Sequence, residues 1–250
     1  MLLTGCHGVL SGVYGEPPTS APVGAGQMYL DASDWHEWHY IDLEALRARV
    51  EGDPQYNASG DWVSMRIPQP EGPVLTEAPA AGTPGLYTYW YDVLGSGGLA
   101  NNRFYSFQSM PAQPEPEAWT LAIHRNNART NGCTVAATDY TSFDQLPADD
   151  ALTSYLSALT YTPDTWNERD VWTVQERMLS GYIGNQGISV NETLSSWLYV
   201  YIPPIPPAFT LNSHVFILRT PEGEYVALQL ADYQNAIGTK CHLTINYKFL

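Results

Sequence analysis

The chain is short of charged residues, and of positive charge above all. Only 15% of its 250 residues are charged, and 11 lysines and arginines are set against 26 aspartates and glutamates, which gives a formal net charge of −15. Nucleic acids and anionic lipid surfaces are both bound through clusters of basic side chains. The composition therefore argues against both kinds of partner and indicates a solvated acidic surface.

Long hydrophobic runs and recognisable enzyme motifs are missing as well. No segment approaches the roughly 18–20 apolar residues that cross a bilayer. The chain contains no G-x-S-x-G, no P-loop and no H-E-x-x-H, so the common nucleophile, phosphate and zinc sites have no sequence support. We therefore expect a protein that is not an enzyme. A secreted glycan hydrolase is a distant alternative, because tryptophans could stack on sugars, but no carboxylate pair is singled out.

Cysteine is scarce, with three residues in all. In an exported protein Cys133 and Cys241 could form a disulfide, although Cys241 lies on the apolar phase of a strand, which favours a buried thiol. Cys6 ends the sequence Leu-Thr-Gly-Cys, which resembles the lipobox at which bacterial lipoproteins are cut and lipidated. Cys6 is therefore the expected lipid attachment site, and the Gly-, Pro- and Ser-rich residues that follow are its expected tether.

The residues that are abundant favour a globular β-protein. Hydrophobic residues make up 44% of the chain, which has 17 tyrosines and 8 tryptophans, and aromatic residues favour strands. We expect a lipobox and flexible tether over residues 1–26 and a single domain over 27–250. Alternating or apolar runs predict strands over residues 38–43, 87–94, 103–107, 119–124, 214–218, 224–230 and 241–249.

One helix is predicted over residues 144–160, where Asp149 and Asp150 could cap it. Four apolar residues recur there at helical spacing, namely Leu152, Tyr155, Leu156 and Leu159. Residues 194–202 are compatible with either a strand or a short helix that ends at a proline run. The sequence thus predicts a mainly β fold with one short helix.

Two of the predicted strands have a clear alternation. In the first, Trp119, Leu121 and Ile123 point one way while Thr120, Ala122 and His124 point the other, which predicts a half-buried strand. In the last strand one face is predicted to carry Cys241, Leu243, Ile245, Tyr247 and Phe249. The opposite face is predicted to carry His242, Thr244, Asn246 and Lys248.

These strands also carry a family resemblance. Residues 119–125 read W-T-L-A-I-H-R and lead into R-T-N-G, and the C-terminal third contains V-F-x-L-R-T and L-T-x-x-Y. With the strand near residue 40, the pattern resembles the HmuY-like haem-binding lipoproteins of anaerobic Gram-negative bacteria. The resemblance covers roughly residues 28–43, 119–145 and 170–250.

The resemblance implies a fold, a location and a ligand. It implies an all-β HmuY-like domain of two packed lobes, anchored by lipid to the outer membrane or cell surface. Such a protein would capture haem or a related porphyrin in a cleft between the lobes and pass it to a TonB-dependent outer-membrane receptor. The alternative is a surface interaction or adhesion lipoprotein that has kept the fold and lost the haem site.

Family members hold the iron with two histidines or two methionines, and the resemblance places the first axial ligand at Met178. The second should lie near the proline-rich turn, where relatives often have Met-Pro-Pro and this chain has Ile205-Pro206-Pro207. Because isoleucine cannot bind iron, a one-sided site or a substitute such as Tyr182 or His214 stays open.

The remaining histidines are predicted to be structural or surface residues. His124 belongs to the family pattern, and we expect a structural residue whose neutral ring hydrogen-bonds the following turn. His36 and His39 would share a face and could bind zinc on a helix. On the predicted strand they point to opposite faces, so they are expected to be surface histidines.

Overall fold

The computed structural model describes residues 24–82, 84–93, 103–201 and 208–250. Within these ranges the protein is mostly β-structure. The strands are β1 (Gln27–Asp31), β2 (Glu37–Ile41), β3 (Val63–Arg66), β4 (Glu71–Leu75), β5 (Leu86–Asp92), β6 (Arg103–Met110), β7 (Leu121–His124), β8 (Asn127–Thr130), β9 (Thr134–Ala137), β10 (Thr165–Asn167), β11 (Trp172–Val174), β12 (Tyr182–Gln186), β13 (Ile188–Val190), β14 (Leu198–Tyr201), β15 (Ala208–Leu211), β16 (Phe216–Arg219), β17 (Tyr225–Gln234) and β18 (Lys240–Phe249). The helices are α1 (Leu43–Gly52), α2 (Asp149–Ala158) and α3 (Glu192–Ser195).

The described strands form three main antiparallel sheets. The C-terminal sheet has the order β1-β18-β17-β16-β9, the middle sheet β3-β2-β7-β8, and the third sheet β11-β12-β5-β6-β4. Two small ribbons, β10-β13 and β14-β15, complete the β-structure. The predicted mainly β fold is therefore confirmed.

The largest core fills the space between the C-terminal and middle sheets. It contains Leu243, Ile245 and Tyr247 of β18 together with Ile41 and Leu121 of the middle sheet. Three residues of the predicted apolar face, Leu243, Ile245 and Tyr247, are therefore buried in this core through alternate positions, and Phe249 packs partly buried against it. At the start of the strand the alternation fails, because His242 of the predicted polar face is buried as well.

The half-buried strand predicted around residue 121 is wrong, because both faces of β7 are buried. Leu121 and Ile123 belong to the largest core, while Ala122 packs with Trp38 and Trp119 in a second cluster. Trp119 therefore does not share a face with Leu121. An apolar cluster lies on each side of β7, so its small residue Ala122 and its polar residue His124 are buried too.

The prediction of one short helix is also wrong, since three α-helices are present in the described ranges. Helix α2 lies within the predicted 144–160 segment, but Ala148 occupies its N-cap position without any side-chain cap bond, so the predicted Asp149 and Asp150 cap is not formed. Helix α1 begins where the Asp42 carboxylate accepts hydrogen bonds from two backbone N–H groups. This is a standard N-cap.

The segment 194–202 combines its two predicted alternatives. Helix α3 begins where the Asn191 side chain accepts a hydrogen bond from the Leu194 N–H, and β14 follows after a short turn.

Cys133 and Cys241 are free, buried thiols, and burial raises the pKa of Cys133 to about 12. Cys6 lies outside the described residues. No described helix has the length and apolar character that spanning a bilayer requires.

Candidate ligand-binding cleft

A large cleft is lined by residues that lie far apart in the sequence, from Ser33 to Lys240. Its volume is about 1150 Å³, above the range of about 300–1,000 Å³ that is common for small-molecule sites. Residues of the third sheet, the β14-β15 ribbon and the turn before β18 all contribute to its walls. The aliphatic part of the described lining consists of Val93, Ile183, Val190, Leu198 and Val200.

Stacked aromatic rings form one part of the wall. Trp35 lies nearly parallel to Trp172, with an interplanar angle of 17° and 6.4 Å between ring centroids. The Arg125 guanidinium lies 4.3 Å from the centroid of Trp35 on this wall. A cation over an indole face is favourable, so the three side chains hold one another in a fixed layer.

Arg125 reaches this position from a tight turn. It and Asn126 join β7 to β8, whose flanking residues His124 and Asn127 pair. The backbone φ of Arg125 is +56°, a left-handed conformation that costs a non-glycine residue free energy. Its Nη1 donates to the Ser33 carbonyl at 2.8 Å, and this bond helps to keep the residue in place.

Charged groups line the cleft as well, beside apolar residues and uncharged polar residues such as Asn126 and Asn127. The cations are Arg125 and Lys240, and the anions are Asp170 and Glu192. The Lys240 Nζ lies 4.3 Å from the centroid of Phe209, which also lines the cleft. Two cations at one cleft are notable in a chain with a net charge of −15, because they give anionic groups a place to bind.

Met178 lies in this cleft and is 37% exposed. It begins a 3-10 turn that ends at Gly181, whose φ of +90° suits glycine. The neighbouring Arg177 packs over the rings of Trp90 and Tyr182 at 4.8 Å and 5.1 Å, which fixes the turn on the third sheet. Met178 is thus presented to the cleft and is not a core residue.

Sequence reasoning missed Tyr199. This residue of β14 lines the cleft and is 44% exposed, next to the fully buried Leu198. The consecutive residues Leu198, Tyr199 and Val200 all line the cleft, which simple alternation along a strand does not predict, and the segment was undecided between helix and strand. Among the described lining residues, Met178 and Tyr199 are the two whose side chains can bind haem iron.

The other ligand candidates lie elsewhere or outside the described residues. Tyr182 packs against Tyr105, with 4.3 Å between ring centroids and the rings tilted by 36°. His214 has its Nδ1 2.9 Å from the Thr138 carbonyl. Neither belongs to the described lining of the cleft. Ile205 falls in the segment 202–207, outside the described residues, between the two strands of the β14-β15 ribbon.

A model of the HmuY protein family matches residues 34–247. The chain belongs to the HmuY family. Among curated proteins, none matches this chain. The HmuY assignment agrees with the fold expected from the sequence pattern.

Solved structures of other proteins have the same fold as this chain. A Bacteroides vulgatus protein, provisionally described as an HmuY-like haem-binding protein, is 25% identical with a TM-score of 0.57 and covers 88% of this chain and 89% of its own. Apo PinO of Porphyromonas is 19% identical with a TM-score of 0.61, covering 90% and 96%. The apo HmuY analogue of Tannerella forsythia is 19% identical with a TM-score of 0.57, covering 92% and 98%.

His124 of the HmuY sequence pattern is fully buried in the structure. Its Nδ1 lies 3.0 Å from the Glu37 carbonyl and its Nε2 lies 3.1 Å from the Trp172 carbonyl. Glu37 lies on the neighbouring strand β2 and Trp172 on β11 of the third sheet, whereas the sequence predicted a bond to the following turn. Burial lowers the pKa of His124 to about 4, so the ring is neutral at pH 7. A neutral ring carries one N–H and can donate to only one of the two carbonyls. The ring lies between the middle and third sheets.

His36 and His39 contact different groups. The His36 ring lies 3.2 Å from an Asp34 oxygen and 3.4 Å from a Glu176 oxygen, which links it to the segment that carries Met178. His39 is only 4% exposed, so it is not the expected surface residue. Its Nδ1 lies 2.8 Å from the Ser64 hydroxyl. The described residues contain no cluster of three metal-binding side chains.

Proposed function

We propose that this HmuY-family chain binds haem, or a closely related porphyrin, in the cleft. The observation that carries the proposal is Met178, an exposed thioether on the wall of an apolar cavity of about 1150 Å³. A porphyrin is a flat apolar ring that needs such a cavity and a side chain that can bind iron. The proposed role is therefore binding rather than catalysis.

The edges of the cleft suit the rest of a haem molecule. Haem carries two propionate groups, and Arg125 and Lys240 supply cations on the cleft wall. Charge-assisted hydrogen bonds to carboxylates are stronger than neutral ones. The Trp35–Trp172 layer supplies flat aromatic surface next to Arg125.

We assign the second iron-binding position to Tyr199 in place of Ile205. Tyr199 lies on β14, which ends at Tyr201, just before the proline-rich segment where the family resemblance places the second ligand. It replaces the substitutes Tyr182 and His214, which stand apart from the cleft lining. A soft thioether favours ferrous iron and a phenolate favours ferric iron, so the two residues make distinct contributions.

In the cell the protein would act as a lipid-anchored carrier. We propose lipidation at Cys6, display at the outer membrane or cell surface, and transfer of haem to a TonB-dependent receptor. The Cys6 lipobox pattern supports the anchor, and the family membership supports the haem-related role. A surface interaction protein without haem is the outcome that a negative binding test would favour.

Titration of the purified protein with haemin tests the proposal, with the Soret and visible bands followed in the ferric and the ferrous state. We expect a saturable one-to-one shift in the wild type. Met178→Ala should weaken ferrous binding most, and Tyr199→Phe should weaken ferric binding most and change the ferric spectrum. No saturable shift in either state would overturn the haem function.

The chain offers a matched control for each variant. Leu179 adjoins Met178 and is 99% exposed, and Tyr201 lies on the same strand as Tyr199 and is 49% exposed. Neither belongs to the described lining of the cleft. Leu179→Ala and Tyr201→Phe should bind as the wild type does. If Tyr201→Phe weakens ferric binding as much as Tyr199→Phe does, the assignment of Tyr199 is wrong while the haem function stands.

A further inference from the structure

A second, smaller pocket has a lining of its own. Its volume is about 320 Å³, near the lower end of the usual range for small-molecule sites. Its lining shares no residue with the large cleft. Its polar and aromatic lining residues are Gln113, Glu115, Arg129, Trp166, Gln186 and Ser189.

A rigid, half-exposed indole ring borders this pocket. Trp166 is 51% exposed, and its Nε1 donates to a Glu168 carboxylate oxygen at 3.1 Å. Its ring packs on the backbone of Gly187, where an added Cβ would lie only 2.6 Å from a ring carbon. Trp166 also pairs with Ser189 across the β10-β13 ribbon. An apolar ring held open to solvent in this way is suited to stacking on a ligand.

Side-chain amides form a fixed polar wall. Gln186 is only 1% exposed, and its Oε1 accepts a hydrogen bond from the Trp38 indole at 2.9 Å. Its Nε2 in turn donates to Gln113 Oε1 at 3.0 Å. The orientation of the Gln113 amide is therefore set by a buried partner before any ligand arrives, as a specific polar site requires.

The charges of the pocket cancel. Arg129 Nη1 lies 2.7 Å from Glu115 Oε1, and these are the two charged side chains among the described lining residues. The guanidinium also lies 5.0 Å from the Trp119 ring centroid and donates to the Tyr40 hydroxyl at 3.3 Å. A carboxylate or ammonium ligand would have to compete with this formed pair, whereas a neutral ligand with several hydroxyls can bond to both of its members.

We infer that this pocket binds one neutral pyranose sugar, free or at the end of a glycan. The apolar face of the sugar ring stacks on Trp166, and its hydroxyls bond to the Gln113 amide and the Arg129–Glu115 pair. An aromatic platform beside planar polar groups matches a sugar, which has one apolar face and a hydroxyl-bearing edge. This activity is independent of haem binding.

Saturation-transfer difference NMR on the haem-free protein tests the inference. The probes are the methyl glycosides of glucose, galactose, mannose and N-acetylglucosamine at millimolar concentration. We expect transfer to the ring protons of at least one probe. Trp166→Ala should weaken that binding at least tenfold, Trp166→Phe should keep most of it, and Gln113→Ala should weaken it.

Controls keep the test decisive. Tyr201→Ala removes a comparably exposed aromatic side chain outside the described lining of this pocket and should leave sugar binding unchanged. An unaltered thermal transition of Trp166→Ala shows that the variant is folded. The inference is overturned if none of the four probes receives saturation, if Trp166→Ala binds as the wild type does, or if glucuronate binds more tightly than the neutral sugars.

Discussion

The guanidinium of Arg125 lies 4.3 Å from the centroid of the Trp35 ring, and it does so from a left-handed backbone with φ of +56°. Glycine would occupy this turn without strain, and a strained non-glycine residue costs about 1–3 kcal/mol. The cation–π contact returns about 0.5–1 kcal/mol, and a hydrogen bond to the Ser33 carbonyl adds to it. The net contribution of the Arg125 side chain to the free energy of unfolding is therefore small.

The variant Arg125→Gly separates the contribution of Arg125 to stability from its contribution to haem affinity. The free energy of unfolding should change by less than about 1 kcal/mol, because relief of strain offsets the lost contacts. Affinity for haem should fall about tenfold, because one of the two cations on the cleft wall is gone. Urea unfolding and haemin titration measure these two quantities.

The propionate assignment has its own control. Haem whose propionates are esterified should bind Arg125→Gly and Lys240→Gln as tightly as it binds the wild type, since no carboxylate is left to meet the cations. Equal losses of affinity for haem and for its diester would show that both residues act through packing, and the assignment of the propionates would be wrong.

Gly184 on β12 allows the third sheet to pack closely beside the cleft. A Cβ at this position would lie 2.7 Å from Val174 Cβ and 3.0 Å from Thr88 Cγ2. Both neighbours are β-branched side chains of adjacent strands and are buried, so they have little freedom to move. Gly184→Ala should therefore lower the free energy of unfolding by about 1–3 kcal/mol.

Gly52 is a matched control for Gly184. It ends helix α1, and a Cβ there would contact nothing within 4 Å. Gly52→Ala should leave stability unchanged or raise it slightly, because alanine is the better helix former. Equal midpoints of urea unfolding for the two variants would contradict the packing argument.

The sequence could predict β18 because that strand buries one face through alternate residues, and the pattern of Leu243 and Ile245 reports this directly. It could not predict β7 correctly, because His124 and Thr120 are polar yet buried. Alternation alone treats a polar residue as exposed, whereas these side chains are paired with backbone groups inside. Helix α1 was missed because it buries only Leu43 and Leu46 and depends on the Asp42 cap.

The cleft could be predicted only in part. Met178 was found through the family resemblance and not through a residue pattern. Arg125 and Lys240 are separated by more than a hundred residues in sequence, and they meet one cleft because β7, β8 and β18 end near it. Single-sequence reasoning has no access to such long-range pairings, since strand order is set by the packing of whole sheets.

His124 predicts a pH dependence of stability. Its two ring nitrogens face the Glu37 and Trp172 carbonyls, but burial dominates and lowers the pKa from 6.5 to about 4. Between these two values the unfolded chain binds a proton that the folded protein does not. Stability contributed by the neutral ring is therefore complete above about pH 6.5 and is lost as the pH falls towards 4.

The size of this effect follows from the shift. From pH 7 to pH 5 the His124 contribution should fall by about 2 kcal/mol. Urea unfolding at both pH values measures the total change, and His124→Gln isolates the contribution of the histidine. Glutamine can donate to one carbonyl but does not titrate, so the variant should be less stable at pH 7 and should lose about 2 kcal/mol less than the wild type on acidification. Equal losses in the two proteins would show that other groups cause the acid sensitivity and that His124 does not act through its charge.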